Sequence, residues 1–235
     1  MTEDFKNHAF LCHRNEGASL RLLGDVHILS VFVNDKESAW TAAAEKTYCQ
    51  AVKTVIESLH TQAKKHGKRL SCCHSCFRMT VPHTHTGNFY SYLPHYFHLK
   101  TVGEMQACYE KDLLCHEAPF LFVFNQRGRN YAYEDAKGDG FQTDEYSVIY
   151  RPFTPVGIMH ELIHQFGGID YYTPASVKVL AEKHMPYSVM LGNGWEIDDV
   201  TAYLIGWKND LSPHALAFLS QASSLYERDY CHDTK

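Results

Sequence analysis

Apolar and polar positions follow two rhythms along the chain. Residues 24–35, GDVHILSVFVND, are a β-branched apolar run closed by Gly24 and by Asn34-Asp35, which predicts a strand. From Ser38, a candidate N-cap, the rhythm changes. Ala44, Tyr48, Ala51, Val52, Val55, Ile56 and Leu59 recur with a 3.6 period and predict a helix over about 39–66, ended by Gly67. Residues 69–81, RLSCCHSCFRMTV, read as a second strand, followed by a His- and Tyr-rich loop to about residue 100.

Thr101–Leu114 predict a second helix, and the wholly apolar APFLFVFN of 118–125 predicts a strand covered on both faces. Residues 128–134 alternate as an edge strand does, with a Gly- and Asp-rich turn at 135–144 behind them. Residues 145–150, EYSVIY, form a further strand. Thr154 and Pro155 then open a helix, threonine as cap and proline at the first helical position. The order β-α-β-α-β-β-β-α with a mostly helical tail predicts an α/β fold. Its sheet is mixed but mostly parallel and twisted, with long helices and right-handed crossovers. Neither a repeat nor a low-complexity linker interrupts the 235 residues, so one domain with a smaller helical C-terminal part is expected.

Composition narrows the function classes. Hydrophobic residues make up 45% and charged residues 21%, the balance of a folded globular chain. A net charge of −5 argues against a binder that neutralises nucleic-acid phosphates. No run reaches the roughly 18 apolar residues of a membrane span. The opening MTEDFKNHAF lacks the basic-then-apolar layout of a signal peptide. Reduced thiols in a cytoplasm-like compartment are therefore the default, with a leaderless or trimmed secreted form as the alternative. The 16 histidines point to metal, since imidazole is the commonest metal ligand.

Residues 155–172 read PVGIMHELIHQFGGIDYY. On a helix His160 and His164 stand one turn apart on one face, where two neutral imidazoles can hold one Zn2+. Glu161 sits beside them, placed to take a proton from metal-activated water. Such a five-residue motif arises by chance in roughly one sequence of this composition in fifteen. The continuation is more specific: Gly167-Gly168 can end the helix with left-handed backbone and let the chain bring Asp170 to the metal. Requiring both lowers the chance to the order of one in several thousand.

These residues resemble the metzincin group of zinc metalloproteases, whose motif is HExxHxxGxx followed by His or, in short members such as snapalysin, by Asp. His160, Glu161, His164, Gly167 and Asp170 stand in register with that motif. Pro186-Tyr-Ser-Val-Met190 is similar to the Met-turn, which places Met190 beneath the metal. The resemblance spans about residues 24–207 and is motif-specific over about 160–190. It implies a single catalytic domain, with an N-terminal α/β subdomain over about 24–167 that includes the active-site helix and a C-terminal subdomain over 168–235. It also implies a zinc endopeptidase acting on peptide or protein substrates, with His160, His164 and Asp170 as ligands and Glu161 as general base. Gly192 replaces the tyrosine common two residues after the turn methionine. Tyr171, Tyr172 and Tyr187 are then the candidates for stabilising the oxyanion, with packing or rim roles as the alternative.

Other readings compete. Glu196, on an expected helix 32 residues after His164 with Asp199 three further on, resembles the third ligand of thermolysin-like gluzincins. That set leaves the Gly-Gly turn and Asp170 unexplained, and charge at a helix N-terminus accounts for Glu196 and Asp198. A zinc-fold binding protein without proteolysis, or a zinc amidohydrolase on a non-peptide amide, would use the same ligands; retention of Glu161 favours hydrolysis. Residues 129–134 are the candidate edge for pairing with an extended peptide, against a solvated hairpin. Cys72, His74 and Cys76, with His83 and His85 in reach, offer ligands for a second, structural zinc, but without paired CxxC knuckles free cysteines beside exposed histidines are the favoured account. Cys108 and Cys115 fit packing roles. Asp135, Asp139 and Asp144 hint at calcium, yet Lys137 and Tyr146 break the EF-hand spacing.

Overall fold

In the computed structural model of the chain, residues 14–15, 18–35, 39–81, 93–98, 101–134 and 145–231 are described. Strands β1 (Gly24–Asn34), β2 (Leu70–Thr80), β3 (Phe120–Arg127), β4 (Tyr131–Glu134) and β5 (Glu145–Arg151) form one sheet in the order β2-β1-β3-β5-β4. The fold is α/β with a mostly parallel five-stranded sheet. Helix α1 (Ala42–Lys65) crosses from β1 to β2, and helices α2 (Leu93–Tyr96) and α3 (Val102–Leu113) cross from β2 to β3. Crossovers of that length make β1, β2 and β3 mutually parallel, and β5, reached through β4, pairs parallel with β3. Only β4 runs antiparallel, against β5, and it ends the sheet.

Strand alternation divides the core. From β1 and β3, Val26, Ile28, Phe32, Leu121 and Val123 face α1 and the C-terminal elements. Their sequence neighbours Leu29, Val31, Val33, Phe120, Phe122 and Phe124 face α2 and α3. Both faces of these strands are buried, as their unbroken apolar runs require. The C-terminal helices α5 (Ala175–His184), α6 (Asp199–Leu204) and α7 (Pro213–Cys231) share the α1-side core, so Trp207 and Phe218 belong to the same cluster as Leu22 and Val26. Every residue of α6 from Val200 to Leu204 is buried, and Asp198 caps the helix by accepting from the N–H groups of Val200 and Thr201. Among the described residues no helix is long and apolar enough to cross a membrane.

Two local expectations are corrected. Helix α1 starts at Ala42 with Thr41 as cap, its hydroxyl accepting from the Ala44 N–H at 3.2 Å. Ser38 lies outside the described residues. The later start follows from Trp40, whose indole N–H donates to Val33 O at 2.9 Å and ties that residue to the end of β1. The Tyr- and His-rich loop contains one helical turn, α2. His83, His85 and the Asp-rich 135–144 segment lie outside the described residues.

Two buried carboxylates fasten the chain entering β1. Glu145 accepts from the N–H groups of Ala18 and Ser19, and Glu117 accepts from those of Leu20 and Arg21, both at 3.1 Å. Burial pushes the Glu117 carboxyl up to about 7, the two N–H groups opposing it and Glu110 adding to the rise. A raised carboxyl binds its proton more tightly folded than unfolded, so stability falls as pH climbs from about 4.5 to 7, by up to about 3 kcal/mol. Glu117→Gln keeps an acceptor for both amides and removes that titration. Denaturant melts should find the variant more stable than wild type at pH 8, with the gap closing towards pH 4.5; equal pH dependence in both proteins would contradict this.

Candidate metal centre

Helix α4 (Pro155–His164) carries the motif, and its start is built locally. Pro155 occupies the first turn and the Thr154 hydroxyl accepts from the Gly157 N–H at 3.2 Å. Ile158, Met159, Leu162 and Ile163 are fully buried and seat the helix on the sheet. The Ser147 hydroxyl of β5 donates to Glu161 O at 2.7 Å, and the Gln165 amide donates to Ser147 Oγ and to Phe120 O. This buried polar stitching fixes the helix in rotation as well as position.

Beyond His164 the chain reverses sharply. Gly167 has φ +86°, the left-handed region, and its N–H donates to His164 O. Gly168 serves a different need: a Cβ there would lie 2.4 Å from the Ile163 side chain. The reversal returns Asp170 to the face that bears the two histidines.

Three potential ligand atoms converge as a result. His160 Nε2 and His164 Nε2 lie 3.1 Å apart, and Asp170 Oδ1 is 3.1 Å from each. The opposite nitrogens are engaged by carbonyls, His160 Nδ1 with Val189 O at 2.9 Å and His164 Nδ1 with Gly168 O at 2.7 Å. A carbonyl only accepts, so each Nδ1 carries the proton and each Nε2 presents a lone pair to its neighbours. Asp170 Oδ1 is buried and accepts no hydrogen bond. Such a cluster of facing donor atoms is stabilised by positive charge at its centre, whether a shared proton or a metal ion. Ligands about 2.0–2.2 Å from a tetrahedral Zn2+ are separated by roughly 3.3 Å, close to the triangle observed. The residues present therefore fit a zinc ion, with Nδ1–carbonyl bonds of the kind that orient ligating histidines.

The electrostatics agree. Burial disfavours the Asp170 carboxylate, but the facing imidazoles and the Tyr172 hydroxyl outweigh it and hold the carboxyl far below its usual range. For His164, burial is outweighed by Asp170 and Glu161, and the imidazole is pushed up. Each group favours positive charge placed among them.

Glu161 is 7% exposed and lies on the wall of a cleft of about 300 Å³. Burial raises its carboxyl, against the pull of His160 and His164. The cleft is also lined by His164, Asp170 and Tyr172, and by Arg129 and residues 130–133 running into β4. A second groove of about 270 Å³ shares Arg129, Asn130, Glu161 and Tyr172 and continues past Gly128, Thr154 and Gly192. Space thus extends to both sides of Glu161, beneath the terminal strand of the sheet.

The expected Met-turn is a 3-10 turn, Val189–Leu191, with Met190 fully buried. It packs against α4 through the His160–Val189 bond, and Tyr171 N–H donates to Met190 O at 3.0 Å. The tyrosines separate clearly. Tyr171 is buried with its hydroxyl at Asp198 and Thr201, and Tyr187 is 67% exposed; neither lines the cleft. Tyr172 stacks on His160 with ring centroids 5.9 Å apart and hydrogen-bonds Asp170. Burial and that bond raise its phenol to about 12, so it stays a donor, while Arg129 hydrogen-bonds the phenol in turn. Glu196 is exposed in a groove against α1, beside Trp195, and precedes α6 in an isolated bridge to Ser188. The buried Gln62 side chain fixes that segment by donating to Trp195 O and accepting from the Ile197 N–H. The gluzincin-like ligand set is thus not assembled.

Arg129 is the cleft residue that the sequence did not single out by role; its place in the predicted edge segment 129–134 was the available signal, although β4 itself begins at Tyr131. Tyr172→Phe keeps the ring and removes the donor to Asp170. Zinc affinity, read by competition with a chromophoric chelator, should weaken by about 10–100-fold. Unchanged affinity with slower turnover would instead put the phenol on the substrate.

No family model matches the chain, and no curated protein matches it.

Proposed function

We propose that the protein is a zinc-dependent hydrolase, and more particularly a metzincin-like endopeptidase that cuts extended peptides in the cleft beneath β4. The observation that carries this reading is the triangle of His160 Nε2, His164 Nε2 and Asp170 Oδ1, 3.1 Å on each side, with the buried Glu161 carboxylate next to it. The Gly167 reversal and the Val189–Leu191 turn under the histidines also agree with the metzincin resemblance.

Bound Zn2+ would supply the Lewis acid that polarises the scissile carbonyl and water. The chain's own residues do the rest. Glu161 takes the proton of the attacking water and passes it to the departing amine, a task suited to a carboxyl raised by burial. Arg129, which lines the cleft and hydrogen-bonds Tyr172, supplies positive charge for the carbonyl oxygen as it becomes negative. Tyr172 holds Asp170 through its hydroxyl. The outer edge of β4 offers backbone groups to an extended substrate, with Tyr131 and Tyr133 partly exposed beside it. Room on both sides of Glu161 favours cleavage within a chain over removal of terminal residues.

Treatment with 1,10-phenanthroline should abolish hydrolysis of unfolded casein, and added Zn2+ should restore it. Hydrolysis that survives complete zinc removal would refute the reading.

A further inference from the structure

We propose that Cys49, His74 and Cys76 form a second metal site, for a thiophilic cation of the zinc class, at the sheet edge opposite the cleft. This is independent of the hydrolase reading. Their Sγ and imidazole nitrogen atoms all lie within 4.8 Å of one another. Cys49 Sγ is 3.7 Å from Cys76 Sγ, and Cys76 Sγ is 3.5 Å from His74 Nε2. With Zn–S near 2.3 Å and Zn–N near 2.0 Å, tetrahedral coordination separates two sulfurs by about 3.8 Å and sulfur from nitrogen by about 3.5 Å. Both observed distances match.

The topology explains the ligand set. His74 and Cys76 are two residues apart on β2, so they share a face, and that face packs against α1, which carries Cys49. Arg78, the next residue on this face, pairs with Glu45 one turn before Cys49, so strand and helix run alongside one another. Cys72 shares the face but sits four residues from Cys76, about 13 Å along the strand, too far to join the same ion. It accepts no role here and packs against the α1-side core. The expected set of Cys72, His74 and Cys76 is thus replaced by one that spans two elements.

Chemistry selects the ion, since two thiolates and an imidazole suit zinc over the hard cations. On the inner side Ser30 Oγ lies 2.9 Å from His74 Nε2 and 2.8 Å from the buried Tyr48 hydroxyl, so a bound ion would take over the His74 lone pair while Ser30 keeps its bond to Tyr48. Cys76 is exposed, giving the ion an entry path and leaving a fourth position to water. Thiolate is the ligand form of cysteine, so metal uptake would displace the Cys49 and Cys76 thiol protons. The bound ion would tie α1 to the edge strand β2.

The test loads the reduced, metal-free full chain with Co2+. Wild type should take up two equivalents and develop thiolate-to-cobalt charge-transfer absorption. Cys76→Ser and, on the other element, Cys49→Ser should each lose that absorption and one equivalent while keeping the second. His160→Ala/His164→Ala should keep the absorption and lose the other equivalent, so failure here and failure of the hydrolase reading are distinguishable. Cys73→Ser, exposed on the opposite face of β2, controls for loss of a thiol as such and should behave as wild type. Equal melting of all variants in chelator checks that each is folded. Absence of the absorption in reduced wild type, its survival in Cys76→Ser, or recovery of the pair only as a Cys49–Cys76 disulfide would overturn the proposal.

Discussion

Glu161→Gln is expected to leave zinc binding intact and to lower peptide hydrolysis by about 10²–10⁴-fold, the usual contribution of a positioned general acid–base. Glutamine has the same shape, so the helix keeps its seat and Ser147 keeps the Glu161 carbonyl. The ligand triangle, formed by other residues, is untouched. What disappears is a group able to accept and return a proton. Zinc per chain by mass spectrometry, measured beside kcat/KM, separates this from its rival. Glu161 lies within ligand range of both histidines, and loss of zinc in parallel with activity would make it a ligand instead of a base.

Asp170→Ala should have the larger effect on the metal. It removes one of three ligands and the only anion in the triangle, leaving two imidazole lone pairs 3.1 Å apart. Zinc affinity should fall well beyond the roughly 10–100-fold expected for an outer-shell partner such as Tyr172. Asp170→Asn, which keeps an oxygen but loses the charge, should fall between. Affinities read by competitive chelation rank the three variants. Retention of zinc in Asp170→Ala with its loss in Glu196→Gln would restore the gluzincin-like ligand set.

What the sequence made legible is local. His160 and His164 are one helical turn apart, and Gly167-Gly168 followed by Asp170 is a short reversal, so spacing alone carried these three side chains to one place. The strands were legible for a similar reason, because runs such as FLFVF can be buried on both faces only between layers. Misreadings arose where distant packing decides. Thr41 caps α1 because Trp40 is held by the end of β1, a contact that no local pattern encodes. Tyr171 and Tyr172 are neighbours in sequence, yet one reaches Asp198 and the other Asp170. Cys49 joins His74 and Cys76 only because α1 lies across β2. Arg129 gains its position from the sheet order, which sets the approach to β4 beside α4.

The most direct test of the account is a proteome-derived library of unfolded peptides, incubated with zinc-loaded wild type and zinc-loaded Glu161→Gln and read for new amino termini. The account predicts new termini in the interior of peptides with wild type and none above background with the variant. Fully zinc-loaded wild type that leaves every peptide intact would contradict it and turn the centre to binding or to a non-peptide amide.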